Sequence, residues 1–320
     1  MINADKPERW KSDIRKSVTL YNNWFLEAAP RAYRETRLRT IRSVEEAFRE
    51  TQDLTLITPS VLKANPRSLA TLRMCTAPPI ARDRLAGLSY LTSKSIVGTM
   101  EKDGKLPPKM KSGELDANLA RMCGVINDLL DRDLLPWVNG DGEIDPQQRE
   151  VAVTVVADRL CASEADPIVR NAQERRQLSV IENWLVARGY RKVKHPSDLP
   201  ITAMVPGTFS FRQNIPVKIG NGSHTISIPV DVAIQPHQPA PGNFPILIEA
   251  KSAGDFTNVN KRRKEEAKKF EQLQSSYGPN ASLYLFLCGY FDAGYLGYSA
   301  AEGLDWIWEH RIDDLEETGV

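Results

Sequence analysis

Apolar residues in the first half of the chain recur at the three-to-four-residue interval of a helix. Residues 8–29 and 31–53 show this among many charges, and runs at 66–75, 81–101 and 114–135 continue it. The stretch 102–113, rich in Gly, Pro and Lys, reads as an exposed loop, and 135–148 as a run of turns. A further apolar run covers 151–160. The pattern therefore predicts a mainly helical region over 1–160.

From 161 onward the pattern changes. Residues 167–188 form a strong helix, with Pro167 placed for a first turn and Gly189 for a stop. Residues 208–219 read as a strand, followed by a turn at 220–222. In 224–234, Ile226, Ile228, Val230, Val232 and Ile234 share one parity, which predicts a strand with an even-numbered apolar face. After a Pro-rich connection at 236–245, PILIEAK predicts a short buried strand. A charged helix over 258–276, a strand over 282–288 and a terminal helix over 299–310 complete the chain. The order helix, three strands, helix, strand predicts an α/β core with a mixed sheet over 161–320.

Two acidic residues fall where a buried strand would not place them. Asp231 points away from the even face, beside Ser227 and Ala233. Glu249 and Lys251 project from one face of PILIEAK, one pleat apart. If the strands are neighbours, Asp231 and Glu249 converge. Two carboxylates can hold a hard cation such as Mg²⁺ while leaving room for water and a phosphate oxygen. Such a cation lowers the pKa of bound water, and a lysine beside it can orient that water, take its proton or stabilise developing charge. The alternative is that these are strand-end residues in surface salt bridges. The tripeptide is no guide by itself, because Glu-Ala-Lys recurs at 266–268, where it reads as a solvated segment of a charged helix. On the 167–188 helix, Glu174 shares a stripe with Leu178, Ile181 and Leu185, and Glu182 lies nearer the edge of that stripe. A carboxylate there joins the cluster or forms a buried ion pair with Arg170 or Arg188.

Composition narrows the classes. The net charge of +1 means that any basic surface must be local. Asn258, Asn260, Lys261, Arg262 and Arg263 open the charged helix, and Arg82 and Arg84 form a second basic group; both sets suit phosphate or base contacts. The alternatives are a solvated helix and a structural ion pair. The four cysteines are widely spaced, with neither a zinc nor a disulfide pattern. No apolar run approaches a membrane span and the start is polar, so a soluble, cytoplasmic protein is expected. No Walker loop or G-x-S-x-G elbow is present. The acidic residues around 139–150 mimic a calcium loop only faintly, since Pro146 interrupts it.

With P-V-D at 229–231 and E-A-K at 249–251, the chain resembles the PD-(D/E)xK nuclease core, with Val230 in place of the usual Pro directly before the Asp. RNAQERRQLSVIENWLVARGY (170–190), EAKSAGDFTNVNKRRKEEAKKF (249–270), PPIARDRLAGLSYL (78–91) and ANPRSLATLRMCTA (64–77) are similar to the XamI-like type II restriction endonucleases. The resemblance implies a Mg²⁺-dependent homodimer that cuts both strands of a short palindrome, leaving 5′-phosphate ends. GTCGAC is the site associated with the family. A cognate DNA methyltransferase would protect the host's own sites. Carried over by position, the metal-binding positions are Asp231, Glu249 and Ala250, Lys251 is the catalytic lysine, and Glu174 is the helix carboxylate that some members add. Two other readings stand beside this one: a non-catalytic DNA-binding protein of the same fold, and a repair or recombination nuclease.

Overall fold

A computed structural model describes the chain except at residues 92, 94, 109, 140–142, 220–223, 240–243 and 256–258, and describes no side chains at 139 and 259–263. The helices are α1 (Pro7–Glu50), α2 (Pro59–Ala64), α3 (Ser68–Met74), α4 (Arg82–Leu88), α5 (Ser95–Asp103), α6 (Ser112–Leu129), α7 (Pro146–Ala187), α8 (Val259–Tyr277) and α9 (Ala293–Ala301). The strands are β1 (Arg191–Lys192), β2 (Thr208–Ile219), β3 (His224–Gln235), β4 (Ile246–Ala253), β5 (Leu283–Gly289) and β6 (Asp305–Trp308). A 3-10 segment, Glu309–Thr318, follows β6.

The chain divides into two compact units, Ala29–Val169 and a second made of Met1–Ala28 with Arg170–Val320. The first 28 residues thus join the sheet-bearing unit, a long-range association that a pattern read along the chain does not reveal. Their attachment is polar as well as apolar. Asp305 at the start of β6 accepts the amides of Ile2, Asn3 and Ala4, while Trp10 and Ile14 pack on the core.

In the helical unit, Leu62, Leu69, Leu72, Leu119, Met122, Ile126 and Val156 are fully buried in one cluster. Arg73 is buried with them and pairs with the buried Glu101. The span expected as one helix over 81–101 is two, α4 and α5, with Ser89 at the C-cap of α4 and Tyr90 after it at positive φ.

Two expected breaks are absent. Helix α1 runs on through Pro30, and α7 through Pro167, so the apolar run at 151–160 and the helix at 167–188 are one element. An interior proline costs about 3 kcal/mol of helix stability. Within the helical unit, α1 and α7 are joined by polar contacts: Tyr33 and Arg37 both bind Asp158, Arg39 binds Glu164, and Thr40 donates to the Ala157 carbonyl. At its start, α7 is opened by Pro146 and capped by Asp145, whose Oδ1 accepts the Gln147 amide.

The sheet has six strands in the order β1-β2-β3-β4-β5-β6. The β2–β3 and β3–β4 pairs are antiparallel, and β4, β5 and β6 are parallel. One face carries Leu247, Leu285, Leu287 and Trp306 and is covered by α8 and α9 through Leu273, Tyr295 and Leu296. The other carries Ile246, Ile248, Phe286 and Ile307 and is covered by α7 through Leu178, Ile181 and Leu185. The helix, three strands, helix, strand order of a restriction-endonuclease-like core is present as α7, β2, β3, β4, α8 and β5, with the two-residue β1 added between α7 and β2. The expected terminal helix over 299–310 is instead the end of α9 followed by β6, whose four residues are all buried in the sheet.

The even residues of β3 do not share one face. Ile228 and Val230 pack on the α8 side, whereas Val232 and Ile234 pack on the α7 side. The switch lies opposite Arg212 of β2, which has φ +53°. A left-handed residue in a strand rotates the ribbon beyond it, which exchanges its two faces. Asp231 sits at this rotation.

Candidate active site

The β3–β4 ladder pairs Ile234 with Ile246, Ala233 with Leu247 and Val232 with Ile248. At the next position the Asp231 carboxylate replaces the ladder bond: its Oδ2 accepts the Ala250 amide at 2.8 Å. This places the carboxylate against β4 between Glu249 and Lys251. Burial and the charge of Glu249 push its carboxyl up to about 6, with the Ala250 amide and Lys251 pulling the other way.

Glu249 is 7% exposed, and Lys251 donates to its Oε1 at 2.9 Å. Its other oxygen, Oε2, is buried without a hydrogen-bond partner. Burial pulls the Lys251 ammonium down, but Glu249 and Glu266 outweigh it and hold it above its ordinary value. In this arrangement the lysine is a donor to Glu249.

Helix α8 contributes two residues that the sequence reading missed. Glu266, 2% exposed, lies 3.5 Å from Lys251 and accepts the Tyr295 hydroxyl at 2.6 Å. Its carboxyl is raised by burial, with Lys251 and the Tyr295 bond opposing. Lys269 reaches Glu249 Oε1 at 2.9 Å and donates to the Pro229 carbonyl at 2.7 Å. The second Glu-Ala-Lys is thus not a solvated segment at its glutamate, although Lys268 is exposed. The signal was available: Glu266, Phe270, Leu273 and Tyr277 recur at i, i+4, i+7 and i+11, the same kind of stripe that singled out Glu174.

Glu174 is partly exposed, and its partner is Arg212 at 2.8 Å, not Arg170 or Arg188. Its charge is near enough to contribute to the raised Asp231 carboxyl. Glu182 pairs with Lys192 instead. Gln177, one turn along α7 from Glu174, donates to the carbonyls of Lys251 and Phe286, both at 3.3 Å, and so ties β4 to β5 beneath the cluster.

Among the expected DNA contacts, Arg82 pairs with Glu101, which it shares with Arg73, and Arg84 is exposed on α4. Asn258 lies outside the described residues, as do the side chains of Asn260, Lys261, Arg262 and Arg263.

Two carboxylates, one carrying an unpartnered buried oxygen, fit a hard divalent cation that keeps most of its water ligands. Among the described residues, no group of three or more His, Cys, Asp or Glu converges on one metal position.

Element order and the paired strand carboxylates fit one class, a nuclease with a restriction-endonuclease-like core. Residues 52–308 match the family described as XamI restriction endonuclease, and the chain belongs to that family. It is 65% identical over 320 residues, covering 100% of both chains, to the type II restriction enzyme SalI of Streptomyces albus G. It is accordingly a type II restriction endonuclease, a site-specific deoxyribonuclease acting on DNA, and enzymes of this class use a divalent metal. A solved structure, protein VC1899 from Vibrio cholerae, is similar at 15% identity and a TM-score of 0.28, covering 80% of this chain and 55% of that one. That likeness carries no argument. No helix among the described residues is long and apolar enough to cross a membrane.

Proposed function

We propose that this restriction endonuclease uses Mg²⁺ at Asp231, Glu249 and the Ala250 backbone carbonyl to cut both strands of GTCGAC, leaving 5′-phosphate ends. The observation that carries the site is the hydrogen bond from the Ala250 amide to Asp231, which brings both carboxylates and Lys251 to the point where β3 and β4 part. Bound there, the cation would polarise the phosphate and acidify an attacking water.

The chain's own residues do the rest. Asp231 is partly buried and Glu249 buried, so electrostatic interactions at the pair act with less screening than in water. Lys251, kept as an ammonium between Glu249 and Glu266, donates to a phosphate oxygen and stabilises charge that develops in the transition state. Glu174 stands at the edge of the cluster, held by Arg212, and joins it as a fourth acidic group.

Asn258, Asn260, Lys261, Arg262 and Arg263 at the start of α8, with Arg82 and Arg84 on α4, are assigned to DNA. Clustered basic groups at a helix start suit phosphate oxygens. Arg84 is free to reach a base edge, whereas Arg82 is oriented by Glu101. Cutting both strands of a palindrome calls for two such sites, hence a homodimer of this chain. A cognate methyltransferase protects the same sequence in the host. The protein works in the cytoplasm, in keeping with four free, buried cysteines. Incubation with plasmid DNA carrying one GTCGAC, in Mg²⁺ or in EDTA, tests the reading. One linear band in Mg²⁺ alone supports it, and intact plasmid in both contradicts it.

A further inference from the structure

Lys251 and Lys269 converge on one oxygen of Glu249, each at 2.9 Å. Lys251 comes from the same strand as Glu249; Lys269 comes from α8. Lys269 also donates to the carbonyl of Pro229, two residues before Asp231 on β3. It therefore bridges β3 and β4 beyond the last paired residues, where the ladder no longer holds them together. One turn away on the same helix, Glu266 faces Lys251 and is fixed by Tyr295. Helix α8 thus places a cation against the strand carboxylate and a carboxylate against the strand lysine.

We infer that Lys269 is a positioning residue of the catalytic site: a second lysine, supplied by α8, that sets the gap between the two carboxylate-bearing strands and holds Glu249 in its working orientation. The inference rests on the metal-site reading of Asp231 and Glu249 given above. Two consequences run in opposite directions. Removing the bridge lets the strands drift where a displacement of about 1 Å can cost about a hundredfold in rate. Removing a cation from beside Glu249 also strips away a competitor for its oxygen and a source of repulsion toward a divalent ion. Loss of Lys269 therefore slows cutting yet tightens metal binding. A residue needed only for folding would weaken both.

The test compares wild type with Lys269→Met and Lys269→Arg. Mn²⁺ alone is titrated into the DNA-free protein, free Mn²⁺ is read by electron paramagnetic resonance, and cleavage kinetics are measured on a duplex in Mg²⁺. The account expects K269M to lose kcat by about ten- to a hundredfold, with KM for DNA within about twofold of wild type. It expects Mn²⁺ to bind about three- to tenfold more tightly. K269R, which keeps the charge and can reach both acceptors, should recover most of kcat and the wild-type Mn²⁺ affinity. Wild-type kcat in K269M, or weaker Mn²⁺ binding in a folded K269M, overturns the inference. If K269M does not fold, K269R decides: wild-type kcat and Mn²⁺ affinity support the inference, and loss of either in a folded K269R overturns it. Glu249→Ala in the same titration separates the two readings. Undiminished Mn²⁺ binding there sinks the metal-site reading itself, whereas lost binding there with an unaltered K269M sinks only the role of Lys269.

Discussion

The carboxylate of Asp231 accepts the backbone amide of Ala250 where the β3–β4 ladder ends, at 2.8 Å. A side chain thus does the work of a strand carbonyl, and a charged oxygen is held largely out of water beside a second carboxylate. Such an arrangement costs stability.

That cost has a pH dependence of defined sign. The folded Asp231 carboxyl sits at about 6, above its ordinary 3.8, chiefly through burial and then through Glu249. The folded state binds this proton more tightly than the unfolded chain does. The resulting contribution to stability is complete below the ordinary value and is lost as pH rises through the folded value. At pH 8 the ionised group is a burden, so Asp231→Asn should stabilise the protein by about 1–2 kcal/mol in EDTA. By pH 4 the gain should have largely gone. Urea denaturation at both pH values measures it, and equal or lower stability for D231N at pH 8 would count against the burial of this charge.

Gln177 carries two strand carbonyls on one amide nitrogen. Gln177→Leu keeps the volume but leaves both acceptors short of a donor in a buried setting. A loss of about 1–2 kcal/mol follows. Because one of those carbonyls belongs to Lys251, kcat should fall as well. A variant as stable as wild type would show that the strand ladder alone satisfies these groups.

In the helical unit, Glu101 is 1% exposed and neutralises Arg73, which is 5% exposed, as well as Arg82. Removing one partner of a buried pair strands the other. Glu101→Ala should therefore cost about 3–5 kcal/mol, and Arg82→Ala, whose side chain is 41% exposed, about 1 kcal/mol or less. Thermal unfolding of both variants checks the ranking. A larger loss for R82A would contradict it.

Strands β2 to β5 and their order along the chain were legible because their segments alternate or open on apolar runs, whereas the two-residue β1 gives no pattern to read. Asp231, Glu249 and Lys251 stood out for the same reason, as charges inside such runs. The continuity of α1 and α7 was not legible: Pro30 and Pro167 read as breaks, and the α1–α7 contacts that hold these helices together lie far apart in sequence. Strand β6 was missed because four residues are too few to show a period, and its first residue, Asp305, serves the amino-terminal amides. Glu266 and Lys269 were passed over because α8 is dense in charge, and a charged helix reads as solvated until its partners across the sheet are known. The face switch at Arg212 depends on one backbone angle that parity cannot reveal.

The central claim is that Asp231, Glu249 and Lys251 form the metal-dependent cutting site. Its most direct test is cleavage of a plasmid bearing one GTCGAC by wild type and by Asp231→Ala, Glu249→Ala and Lys251→Ala, in Mg²⁺ and in EDTA, with circular dichroism to establish folding. The account predicts a single linear product from wild type in Mg²⁺ alone, and a loss of at least about a thousandfold for each folded variant. Wild-type cutting by any one of the three would contradict that residue's role, and cutting by all three would contradict the site.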